Sequence, residues 1–129
     1  MTPDERTIRE LFTALDAGNI ETALGFMTEG VKFRLGSADP TVGREGFAAN
    51  ATAMAAIIAS LSHEMLTVWT TGEPDPAVIC EMAVTYRRHD GAELTLPCAN
   101  VFRLRDGRIA DYRIYMDINP VFTLEPRRV

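Results

Sequence analysis

Apolar residues follow two different rhythms in this chain, a helical one through the first half and a strict alternation through the last third. Ile8, Leu11, Phe12 and Leu15 form one helical stripe, and ahead of them Thr2 is placed as a cap, with Pro3 at the first helical position and Glu5 completing a capping box. Gly18 suits the left-handed position that ends such a helix, and Asn19 can cap a second one carrying Ile20, Ala23, Leu24 and Met27. The pattern therefore predicts a helix hairpin. Val31 to Leu35 then alternates as a short strand, and Gly36, Asp39, Pro40 and Gly43 mark a loop. A third helix is expected from about Arg44 to Ala59, with Phe47, Ala51, Met54, Ile58 and Leu61 on its apolar side. Its many alanines narrow that side enough for it to lie close on a sheet, as a lid.

The alternation begins at Ser62 to Thr70 and, after the Gly72 to Pro76 loop, continues through Val78 to Arg88, Glu93 to Arg105 and Arg108 to Ile118. A three-residue turn at His89-Asp90-Gly91 pairs Arg88 with Ala92, hence Met82 with Cys98 and Cys80 with Asn100. The Asp106-Gly107 turn puts Leu104 opposite Ile109, yet Tyr112, Ile114 and Met116 have the other parity, so a bulge is expected at Ala110 or Asp111. Bulged sheets curve, and a curved sheet under a helix encloses a pocket. The expected fold is α+β: a cone-shaped, curved, mixed but mostly antiparallel sheet packed against three N-terminal helices, in a single domain spanning residues 1–129.

At 129 residues, with 47% hydrophobic and 24% charged residues, the chain can bury a core without disulfides or metals. A formal net charge of −5 argues against nucleic acid or an anionic membrane as a partner. No apolar run is long enough to span a bilayer, and the charged start lacks the apolar core of an export signal, so a cytoplasmic home is expected. Cys80 and Cys98 read as reduced core residues. No phosphate loop, nucleophile elbow, nucleotide fingerprint or metal-ligand spacing occurs, so no cofactor and no metal are expected.

With the helix hairpin, short strand and helix before it, the stretch from Asn100 to Asp117, containing Phe102-x-x-x-Asp106-Gly107-x-Ile109 and ending in Tyr115-x-Asp117, resembles the SnoaL-like branch of the nuclear transport factor two-like superfamily, of cystatin-like α+β fold. The resemblance covers nearly the whole chain. It implies a cone-shaped pocket, frequent homodimerisation through the outer sheet face, and chemistry ranging from polyketide cyclisation to isomerisation, epoxide hydrolysis and plain ligand binding. Fold alone does not choose among these. Set against limonene epoxide hydrolase, the positions of its catalytic Arg-x-Asp are Met82 and Val84, that of its second Asp is Ile114, and those of its first-strand polar pair are Phe33 and Leu35. Set against ketosteroid isomerase, Leu11 and Leu35 stand where the Tyr and the general base would be. Neither machinery carries over.

The residues left to line a pocket are Phe33, Leu35, Trp69, Met82, Val84, Phe102, Ile114 and Met116, around a small apolar ligand. Five polar residues are candidates for chemistry. Asn100, on the pocket face, either donates to a carbonyl or enolate oxygen or bonds its neighbours to fix a bulge. Tyr86 and Tyr112 are either proton donors or packed rings. His63, on one side of its strand with Met65, Thr67 and Trp69, is a general base if it points inward and a strand-end residue if outward; we take the outward reading. The resemblance places Asp117 at the pocket mouth, as an acid or base or, the reading we adopt, in an ion pair with Arg113. Glu81 falls on the outer face, facing solvent or an arginine such as Arg103 across a dimer. Taken together, these readings describe a binder of a small apolar molecule whose chemistry, if any, is cofactor-free proton transfer. A carrier or sensor, and a dimerisation domain with a filled cavity, stand beside it.

Overall fold

The computed structural model describes residues 1–126. Helix α1 (Pro3–Asp16) starts where the Thr2 hydroxyl accepts from the Glu5 amide at 3.1 Å, and α2 (Ile20–Gly25) where the Asn19 side chain accepts from Thr22 at 3.2 Å. Strand β1 (Met27–Leu35) and a two-residue β2 (Thr41–Val42) precede α3 (Arg44–Ala55). Then come β3 (Ile58–Thr70), β4 (Val78–Arg88), β5 (Glu93–Arg105), β6 (Arg108–Tyr115) and a short α4 (Asn119–Thr123).

Several boundaries differ from expectation: β1 begins at Met27, which was expected on the second helix, and β6 ends at Tyr115. Helix α3 stops at Ala55 and β3 starts at Ile58, so Ile58 and Leu61 belong to the strand and not to the helical stripe. The alanine run there favours helix locally, and pairing of Ile58 with Arg88 overrides it. Strand β2 and helix α4 add elements that the pattern did not predict.

The six strands form one sheet in the order β2-β1-β6-β5-β4-β3, antiparallel throughout except for the parallel β1–β6 pair. The β4–β5 hairpin has the expected register, Met82 opposite Cys98 and Cys80 opposite Asn100, closed by Gly91 at φ +89°. The β5–β6 hairpin puts Leu104 opposite Ile109 and Arg103 opposite Asp111, which leaves Ala110 as the extra residue of a bulge. A second bulge, in β3, was not expected. Met65 faces Met82 but Thr67 faces Glu81, so Leu66 is the extra residue and side chains beyond it change faces.

On the concave face α1 and α3 cover the sheet. Phe12 of α1 meets Phe102 at 5.8 Å between ring centroids, Phe102 meets Tyr112 at 4.5 Å, and Tyr112 meets both Phe33 of β1 and Phe47 of α3. Full burial of a ring such as Phe102 contributes roughly 1.5–3 kcal/mol. No helix among the described residues is long and apolar enough to cross a membrane.

Candidate functional site

A cavity of about 460 Å3 lies between α3, the α1–α2 turn and the concave face of the sheet. Its walls are mostly apolar. Phe47, Ala51 and Met54 come from α3, Phe33 and Leu35 from β1, Ile58 and Leu61 from β3, and Ile114 from β6. Four polar side chains of particular interest reach it: His63, Tyr86, Tyr112 and Asn50, with Asp16 at the turn where α1 ends.

His63 points inward, which corrects the outward reading. It sits opposite Val84, on the face that β4 buries, before the Leu66 bulge inverts the strand. Its ring packs against Phe12 at 4.6 Å and its side chain is 11% exposed. Both oxygens of Asp16 engage it: Oδ2 accepts from the His63 backbone N–H at 3.0 Å, and Oδ1 lies 2.6 Å from Nδ1. A carboxylate accepts only, so Nδ1 carries the proton and Nε2 keeps its lone pair. Among the described residues Nε2 has no hydrogen-bond partner. Burial lowers the His63 pKa below the usual 6.5, and the hydrogen bond and charge of Asp16, which oppose that shift, do not cancel it. The imidazole is therefore neutral near pH 7 and able to take a proton.

Tyr86 and Tyr112 are buried, and desolvation raises both phenols above their ordinary value, so both are neutral donors. Among the described residues the Tyr86 hydroxyl donates only to the Met116 sulfur, at 3.5 Å, a weak partner that a ligand oxygen can replace. The arrangement thus sets a neutral base and two neutral donors around an apolar space.

Several sequence-based placements need correction. Trp69 lies beyond the bulge on the outer face, opposite Ile79, and is 49% exposed. Asn100 is on the concave side but 1% exposed and away from the cavity wall; its Nδ2 donates to the Met82 sulfur at 3.2 Å, and among the described residues its Oδ1 has no partner. Met82, Val84 and Phe102 are packed into the core under α1 and do not line the cavity, and Met116 only packs alongside that core. Asp117 is exposed and accepts from the Asn119 amide at 3.0 Å, at the start of α4, while Arg113 pairs with Asp111 instead. Glu81 is exposed on the outer face, and Arg103 is paired within the chain to Asp75.

Asp16 and Asn50 were missed. Burial raises Cys80 to about 12 and Cys98 to about 11, which keeps both as inert thiols. No group of three or more His, Cys, Asp or Glu among the described residues is placed to hold a metal ion.

Among curated proteins none matches the chain. Among solved structures, a nuclear transport factor two-like protein of unknown function from Burkholderia pseudomallei superimposes with a TM-score of 0.86 at 17% identity, covering 96% of this chain and 98% of that one. A candidate SnoaL-like polyketide cyclase from Jannaschia sp. CCS1 gives 0.83 at 19% identity, over 98% and 94% of the two chains. An epoxide hydrolase of the limonene epoxide hydrolase-like type from M. tuberculosis gives 0.77 at 18% identity, over 93% and 86%. At such identities the likeness is one of fold. Residues 8–112 match the SnoaL-like domain, and the chain belongs to that family.

Proposed function

We propose that the protein binds a small, largely apolar, carbonyl-bearing molecule in the cavity and moves a proton on it without a cofactor, as an isomerase or an aldol-type cyclase does. The observation that carries this reading is the His63–Asp16 pair at the cavity, its 2.6 Å contact fixing the tautomer that leaves Nε2 unprotonated. Nε2 takes a proton from the carbon next to the carbonyl. The electron pair of that C–H bond moves into an enolate, whose oxygen accepts hydrogen bonds from Tyr86 and Tyr112; the imidazolium then returns the proton to a second carbon or, once the enolate carbon has attacked an internal carbonyl, to the alkoxide so formed. Asp16 orients the ring and offsets the charge that forms on it.

The walls also suit a non-catalytic carrier, because they are mostly aliphatic and aromatic. Deuterium incorporation into 2-tetralone in D2O, followed by NMR, separates the two. Turnover that is lost in His63→Gln while binding is retained supports the enzyme. Binding without exchange in the unaltered protein leaves the carrier, and no binding removes both. We also propose a homodimer through the outer sheet face, where Leu66, Trp69 and Tyr115 are exposed at 55%, 49% and 56%; native mass spectrometry reads the dimer mass directly.

A further inference from the structure

We infer that the cavity selects an uncharged oxo compound and turns away carboxylates and phosphates of the same shape. The inference rests on the reading that the cavity binds a ligand and adds which charge that ligand carries.

Charge is settled by what lines the cavity. Among the described residues no Arg or Lys side chain lines the cavity. Several cations of the described residues are committed elsewhere: Arg9 to Glu5, Arg44 to the Met27 carbonyl, and Arg88 to Asp90 and the Val121 carbonyl. The one lining group that can become cationic, His63, already faces a carboxylate, so its protonated form makes a neutral pair and offers an anion no net charge. Asp16 itself lines the cavity, and the chain carries a net charge of −5. An anion entering this space gives up its hydration for no opposite charge, which is costly.

A ketone meets the opposite situation. Its oxygen needs one or two donors and no counter-charge, and Tyr86 and Tyr112 are neutral phenols held so by burial. Tyr86 is spending its proton on a sulfur, a weak acceptor. Exchange of that sulfur for a carbonyl oxygen is a gain, so the polar wall favours an uncharged acceptor.

Calorimetric titration of the purified protein at pH 7.5 with 2-tetralone, 2-naphthoate and 2-naphthyl phosphate tests this. The expected result is that the ketone binds at least about tenfold tighter than either anion, a difference of about 1.4 kcal/mol. The variant Asn50→Lys, which introduces a cation at the lining of α3, should narrow or reverse the preference for the ketone over 2-naphthoate. Equal or tighter binding of either anion by the unaltered protein overturns the inference while leaving cavity binding intact. Failure of all three probes to bind at millimolar concentration overturns the inference together with the reading on which it rests.

Discussion

Asp16 closes α1 at the end where the helix dipole is negative, and there it grips His63 of β3, 47 residues away in sequence, through both carboxylate oxygens. A carboxylate in the last turn of a helix is electrostatically misplaced, and no basic residue in that turn offsets it. The hydrogen bonds from His63 compensate, which ties the helix end to the strand and fixes the imidazole plane at the cavity. The pair serves packing and chemistry at once, and the two roles can be separated by substitution.

His63→Gln keeps a donor toward Asp16 but has no basic nitrogen. Proton exchange on 2-tetralone should fall by roughly 10²–10⁴-fold, the usual contribution of a general base, while the dissociation constant for the ketone changes little. Asp16→Asn should also slow exchange, by less, because Nε2 remains but its tautomer is no longer enforced. Initial rates by NMR and binding by calorimetry on both variants check this; equal rates in His63→Gln and the parent would remove His63 from the chemistry.

The pH dependence has a defined sign. Burial lowers the folded-state pKa of His63 below 6.5, so the unfolded chain binds this proton more readily than the folded one. Above pH 6.5 both states are neutral at this site and its protonation has no effect on stability. As pH falls below 6.5 the folded state loses stability, and the loss levels off once pH is below the lowered value. Urea midpoints between pH 7.5 and 5 should show this component in the parent and lack it in His63→Gln. The exchange rate should fall along an acid limb whose midpoint lies below 6.5.

The legible and illegible parts of this fold divide along physical lines. The β4–β5 register followed from Gly91, which the turn requires at positive φ, and the β6 bulge from a parity conflict between Ile109 and Tyr112. Strand β3 has neither aid. Its loop to β4 is long, and the bulge at Leu66 leaves no mark in an alternation whose next residues, Thr67, Val68 and Trp69, suit either face. Strict alternation puts His63 and Trp69 on one face, whereas the bulge separates them, His63 turning inward and Trp69 outward. The phenols at the cavity were visible because Tyr86 and Tyr112 share parity with the apolar set. Asp16 was not, since its partner is brought to it only by the tertiary fold; its awkward position at the helix end was the one available signal.

Asn100 illustrates how a polar residue on the right face can still be structural. Its Oδ1 is buried without a partner and its Nδ2 meets only a sulfur, so its hydrogen bonds contribute little net stability. Asn100→Leu, which keeps the number and branching of the side-chain heavy atoms, should change the unfolding free energy by no more than about 1 kcal/mol and leave 2-tetralone exchange intact. A carboxamide that donated to the enolate would instead cost on the order of 10²–10³-fold in rate on its loss. Chemical denaturation and the exchange assay on this variant distinguish the two.

Gly46 lies in the first turns of α3, where replacing glycine by alanine ordinarily stabilises a helix by about 0.5–1 kcal/mol. Here the sign should reverse. A Cβ at this position would stand 2.7 Å from the Thr41 Cβ and 2.8 Å from its Oγ1, well inside contact distance. Neither atom is the far end of a flexible side chain, and Thr41 is fixed by its pairing with Phe33 in β1. Helix α3 must then move off the sheet, at a typical overpacking cost of about 1–3 kcal/mol that outweighs the helical gain. Because Phe47, Ala51 and Met54 of the same helix form one wall of the cavity, the displacement should weaken ketone binding as well as lower the urea midpoint. Gly46→Ala therefore couples stability to binding, whereas Asn100→Leu should affect neither.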